Sequence, residues 1–155
     1  MVDRIARNRL AEEIRHFLAG LKTNMDFDRA AFDLDSRDRG VVEIREAIWH
    51  TYDDFQEHRL VGQRALTDDQ CEVIARCIVF LKSDDEYRWP AWPFYYRVLR
   101  LVISLMSFGS LTGCFDSFYD VGGEMAVWPF YSEREYRTAK DAPVYFAGSS
   151  RRGAV

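Results

Sequence analysis

The chain has 155 residues, 48% of them hydrophobic and 15% aromatic, with a formal charge of −4. A chain of that length and composition buries about two-thirds of its unfolded surface, which excludes intrinsic disorder as its general state. No apolar run approaches the roughly 20 residues of a membrane helix, and the first 17 residues are charged throughout, unlike a secretory signal, so a cytoplasmic location is expected.

The charge is unevenly placed. Residues 24–86 carry 16 acids against 8 bases, whereas 1–23 and 87–155 each come to +2. An acidic middle disfavours nucleic-acid binding, which needs a basic face. It suits a basic protein partner, with a solvated acidic surface as the plainer reading. Three cysteines (Cys71, Cys77, Cys114) without a CxxC pair fit neither a disulfide framework nor a zinc knuckle, and read as small buried hydrophobes.

Taken in order, Asp3 is placed to cap a helix running to about residue 19. Leu10, Ile14, Phe17, Leu18 and Leu21 form its apolar stripe, and Gly20 its stop. Ile5 falls off that stripe. Residues 22–40 are polar and Asp-rich and read as a loop, with Ser36 or Asp38 capping the second helix. That helix is predicted over 41–58, with Val41, Ile44, Ile48, Tyr52 and Phe55 on one face. Thr67 and Gln70 make a capping box, with Leu66 and Cys71 as the staple, for a helix over 68–82 that is apolar round most of its circumference and therefore central. Pro93 suits the first turn of a fourth helix, 94–107.

The period then changes. Residues 114–131 read as a hairpin turning at Gly122-Gly123, with Phe115, Tyr119, Trp128 and Phe130 facing the helices and Pro129 near the end of an edge strand. A capping box of Ser132 with Glu135 predicts a short exposed helix over 132–140. The expected fold is α+β: mainly helical, about four main helices, with a small C-terminal antiparallel β-hairpin packed on them. Residues 1–147 are expected to form a single domain and 148–155 a disordered tail.

Three of the four prolines follow a tryptophan (Trp89-Pro90, Trp92-Pro93, Trp128-Pro129), and Trp-Pro-Phe-Tyr occurs at 92–95 and 128–131. This node has two readings. It fills the core between helices and hairpin, in which case Trp92 and Trp128 are mostly buried and each is worth about 3–5 kcal/mol on truncation. Otherwise Trp89, Trp92 and Arg97 form a ligand platform, their rings stacking and the guanidinium meeting an anion.

The metal pattern is Glu46, His50, Asp54 and His58, spaced i+4 so that one helix would stack them on one face. The same ladder lies opposite the apolar stripe, where any solvated amphipathic helix is polar. Glu13-x-x-His16 lacks the second copy that a di-metal bundle requires. The segment from Asp33 lacks the glycine and glutamate of a calcium loop. No phosphate-binding glycine loop, GxSxG or HExxH is present, and no cofactor is implied.

The segments Arg9 to Phe17 (RLAEEIRHF), Trp49-His-x-Tyr-Asp-Asp54, Phe80-Leu-Lys-Ser-Asp-x-Glu-Tyr-x-Trp-Pro90 and Val127-Trp-Pro-Phe130 resemble a group of small uncharacterised bacterial proteins through about residue 137. The resemblance implies a bacterial cytosolic context and transfers no catalytic residue. The functional expectation is a non-enzymatic protein-binding module, immunity- or antitoxin-like, using Asp53, Asp54 and Glu57 against a basic partner. The alternative is a small metal-dependent or anion-binding enzyme built on the ladder or on the Trp/Arg node.

Overall fold

The computed structural model describes residues 1–53, 55–89 and 123–141. The chain divides into two compact units, Arg88–Gly123 and the remainder (Met1–Tyr87 with Glu124–Val155). The helices and turns of the described residues all belong to the second of these.

Five α-helices occur among the described residues: α1 (Arg4–Leu18), α2 (Asn24–Phe32), α3 (Arg39–Trp49), α4 (Asp68–Lys82) and α5 (Glu133–Asp141). Short 3-10 turns lie at Gly62–Arg64 and Met125–Val127. α1 begins at Asp3, whose carboxylate accepts the Ala6 amide. It ends in a Schellman turn: Gly20, at φ +66°, donates to Phe17 O, and Leu21 donates to His16 O. Leu21 consequently leaves the apolar stripe and is 63% exposed, and Ile5 also faces solvent. Leu10, Ile14 and Phe17 are buried as the stripe requires.

α2 occupies a stretch that the sequence reading leaves as loop. Thr23 caps it through the Asp26 amide, and Asn24, Phe27 and Ala31 are its buried positions, with Leu34 buried just beyond. The density of aspartates hides this 3–4–3 spacing. α3 starts at the Asp38 cap but stops at Trp49, nine residues before the predicted end. Thr51 turns back there, its amide and hydroxyl both donating to Ile48 O. The predicted face therefore holds through Ile48 and half-buried Tyr52 and fails at Phe55, which is 91% exposed. α4 has the predicted bounds and a complete Thr67/Gln70 capping box. It packs on α1, α3 and α5, and buries Ile74, Cys77, Phe80 and Leu81. Cys77 is a buried hydrophobe whose thiol is pushed up to about 12 by burial, whereas Cys71 is exposed, contrary to expectation; Cys114 lies outside the described residues.

The expected α+β class is corrected: the described residues are helical and contain no strand. Residues 114–122 of the predicted hairpin, the fourth helix over 94–107 and the tail over 148–155 lie outside the described residues. The predicted second strand is instead a chain of tight turns. The amides of Val127, Trp128 and Phe130 donate to the carbonyls of Glu124, Met125 and Val127, and Glu124 N closes the loop on Tyr131 O. Amides committed three residues back are lost to a ladder, and Pro129, after a cis bond, has none to give. Trp128 and Phe130 still face the helices. Phe130 is fully buried edge-on against Phe80, with ring centroids 5.3 Å apart, and Trp128, half-buried, donates from Nε1 to Tyr87 Oη at 3.1 Å. Of the second copy of the tetrad, Phe130 is core, and Trp128, expected to be mostly buried, is partly buried against it. Trp92 lies outside the described residues.

Among the described residues the largest fully buried side chain is Arg7. Its Nε and Nη2 donate to the two Asp38 oxygens at 2.6 and 3.2 Å, and its Nη1 donates to the carbonyls of Ser83 (3.1 Å) and Asp85 (2.8 Å). The guanidinium lies 4.9 Å from the Phe80 ring centroid. Asp38 also accepts the amides of Asp3 and Gly40 (both 2.9 Å), so one carboxylate joins the starts of α1 and α3. Gly40 has no room for a side chain, since a Cβ there would sit 2.9 Å from Phe80 and 3.2 Å from Arg7 Nη2.

Removing one member of such a pair strands a buried charge. Asp38→Ala is expected to cost about 3–5 kcal/mol. The double variant Arg7→Met/Asp38→Leu is expected to lose clearly less than the two single changes added together. Denaturant melts of the four proteins check this, and additive losses would refute coupling.

Burial pushes the Asp38 carboxyl up, but the Arg7 fork and the two amides outweigh it and hold its pKa below the ordinary carboxylate range. With the folded value below the unfolded one, this stabilisation is complete above about pH 4 and is lost as pH falls through the folded value. Thermal midpoints should drop more steeply below pH 4 in the parent than in the double variant. Equal acid slopes would place the sensitivity elsewhere.

Candidate functional site

The described residues between α3 and the Gly62–Arg64 turn do not continue the helix, and their backbone needs partners. Asn24, fully buried in the first turn of α2, supplies them. Its Nδ2 donates to Asp53 O (2.9 Å) and Gln56 O (3.0 Å), and its Oδ1 accepts the His58 amide (2.8 Å). Its own amide donates to His58 O at 2.9 Å. One asparagine thus uses both ends of its side chain on three backbone groups of the loop. Asp53 tightens the same loop by accepting the Phe55 amide on Oδ1 (2.9 Å), and Glu57 accepts the Thr23 hydroxyl (2.9 Å). Arg59 donates to Gly20 O at 2.9 Å, tying the α1–α2 turn to this corner.

The result is a firm loop with an outward apolar tip. Phe55 stands 91% exposed with Asp53 and Glu57, both exposed, on either side of it in sequence. Leu21 and Val61, on the turns joined here, are 63% and 59% exposed. Beside them is a cavity of about 300 Å³ lined by Thr51, Tyr52, Asp53, His58, Leu60 and Arg64. The Tyr52 ring is fixed edge-on to Phe17, with centroids 5.0 Å apart, and it meets His58 at 6.5 Å and 65°. His58 Nδ1 lies 2.7 Å from Gln56 O, which only accepts, so Nδ1 carries a proton. Arg64 reaches Gln56 Oε1 at 3.0 Å and Asp53 Oδ2 at 3.9 Å.

Of the sequence-predicted residues, Asp53, Glu57 and His58 meet at this corner. The metal ladder is not assembled on one helix, because α3 ends at Trp49: Glu46 stays on α3, His50 is its exposed C-cap against Trp49, and His58 belongs to the loop. Among the described residues no three His, Cys, Asp or Glu side chains are grouped to hold a metal ion. Trp89 is buried, 3% exposed. Asp54, Trp92 and Arg97 lie outside the described residues. Asn24 and Arg64 were missed; the signal for the first was Thr23-x-x-Asp26, a helix start inside an apparent loop.

Comparison with protein-family models, with curated proteins and with solved structures finds no match for this chain. Among the described residues no helix is long and apolar enough to cross a membrane.

Asn24→Ala leaves three backbone groups of the 53–58 loop without their partner. A loss of about 1–3 kcal/mol is expected. Exchange of the His58 amide should accelerate by more than that of the α4 amides. Uniform acceleration would mean the asparagine serves global stability alone.

Proposed function

We propose that the chain is a cytoplasmic bacterial protein-binding module, immunity- or antitoxin-like, that engages a basic protein through the 53–58 corner. The observation that carries this reading is the 91% exposure of Phe55 on a loop whose backbone is held by a buried asparagine. An aromatic side chain with few rotatable bonds, presented on preorganised backbone, loses little entropy on docking and is the kind of residue that dominates interface energies. Water-exposed, it stabilises nothing in the monomer. The acids around it supply what a basic partner needs: Asp53 and Glu57 in the loop, and Asp26 on the adjoining first turn of α2. Exposed charges of one sign raise the association rate and make it salt-dependent. The −8 balance of residues 24–86 extends that field beyond the loop.

The test begins with capture of partners from a bacterial lysate on the immobilised chain, followed by titration of the recovered partner. Phe55→Ala should weaken binding by about 30-fold or more, the size of an interface hot spot. Asp53→Lys/Glu57→Lys should chiefly slow association and flatten its dependence on salt. A partner that binds all three proteins alike, or equally at low and high salt, would remove this corner as the docking site.

A further inference from the structure

Resting on the docking reading above, we propose that the cavity beside Phe55 receives an arginine side chain of the basic partner, and that Arg64 occupies its charge-pairing position beforehand. The cavity, at about 300 Å³, lies at the small end of ligand pockets. Its lining combines the parts that recognise a guanidinium: a carboxylate, Asp53, and two aromatic rings, Tyr52 and His58. The rings are fixed before anything binds. Tyr52 is edge-on to both Phe17 and Phe27 in the core, and the His58 ring is oriented by the Gln56 carbonyl.

The chain's own guanidinium shows which chemistry this lining takes. Arg64 sits at the cavity with one Nη hydrogen-bonded to Gln56 Oε1, but its approach to Asp53 Oδ2 is 3.9 Å, an ion pair without hydrogen-bond contact. Both side chains of the pair are 40–50% exposed (41% for Arg64, 47% for Asp53), so the interaction is screened and weak. Asp53 Oδ1 is committed to the Phe55 amide, which aims the carboxylate while leaving Oδ2 only loosely engaged. An incoming arginine that displaces Arg64 exchanges one cation for another at Asp53, leaving no carboxylate stranded. It also adds ring contacts and a closer approach. Lysine, a compact and strongly hydrated charge without a planar fork, gains less from the same lining.

Binding is measured by fluorescence anisotropy on the full chain at low salt, with a labelled arginine-rich nonapeptide and its lysine counterpart. Arg64→Ala and Arg64→Gln should each tighten the arginine peptide by about three- to fivefold, the weight of one exposed ion pair. The lysine peptide should gain less. Arg137→Ala, which removes an exposed charge on α5 away from the cavity lining, should change neither and controls for net charge. Asp53→Asn should abolish the arginine preference. Unchanged or weaker binding in the Arg64 variants, equal gains for both peptides, or no binding of either peptide would overturn the cavity assignment. If the Arg64 variants behave like the parent while Phe55→Ala still releases the captured partner, the docking corner stands and only the arginine receptor falls.

Discussion

A buried guanidinium closes the helical unit. Arg7 is the group on which three chain segments converge: the start of α1, the start of α3 and the end of α4. Taking such an ion out of water is costly, and only a nearly complete set of acceptors offsets it. Here the set is complete enough to fix geometry: a two-oxygen fork from Asp38 and carbonyls from Ser83 and Asp85. Because Asp38 is also the cap of α3, the same carboxylate that neutralises Arg7 sets where that helix begins. Apolar burial supplies the driving force for collapse, but it is non-directional. The Arg7–Asp38 contact adds direction, and Gly40 leaves the space in which it forms.

The same logic recurs at the other end of α1. Its Schellman turn reverses the chain into Thr23 and Asn24, and the buried amide of Asn24 then plays for the 53–58 loop the part that Arg7 plays for the helix starts. Each is a polar side chain taken into the interior and satisfied by groups distant in sequence. The helices between them, packed through Phe17, Phe27, Ile44, Ile74 and Phe80, hold the two ends in fixed relation. The exposed tip at Phe55 therefore rests on buried structure.

What the sequence made legible was local. Caps at Asp3, Asp38 and Thr67, the stop at Gly20 and the bounds of α4 all depend on residues within four positions of one another, and these hold. Two misreadings followed a pattern past the point where other hydrogen bonds take the backbone. The 41–58 pattern continues through Phe55 on a helical wheel, yet Asn24, some 30 residues earlier, captures the carbonyls of Asp53 and Gln56. Residues 124–131 alternate like a strand, yet consecutive three-residue turns take their amides. Arg7 is not singled out by the sequence, since nothing local distinguishes a buried arginine from an exposed one. The acids of the candidate site were visible as a charge imbalance; the outward Phe55 was hidden by its apparent place in a core stripe.

The bonds made by the Asn24 side chain end on carbonyl and amide groups, which every residue other than proline possesses. Side-chain identity at 55 is therefore largely uncoupled from the conformation of the loop that displays it. A lineage carrying this architecture can exchange that position and meet a changed partner on an unchanged frame. Variation concentrated at the tip, over an invariant asparagine beneath it, is the pattern that such an uncoupling leaves in descendants.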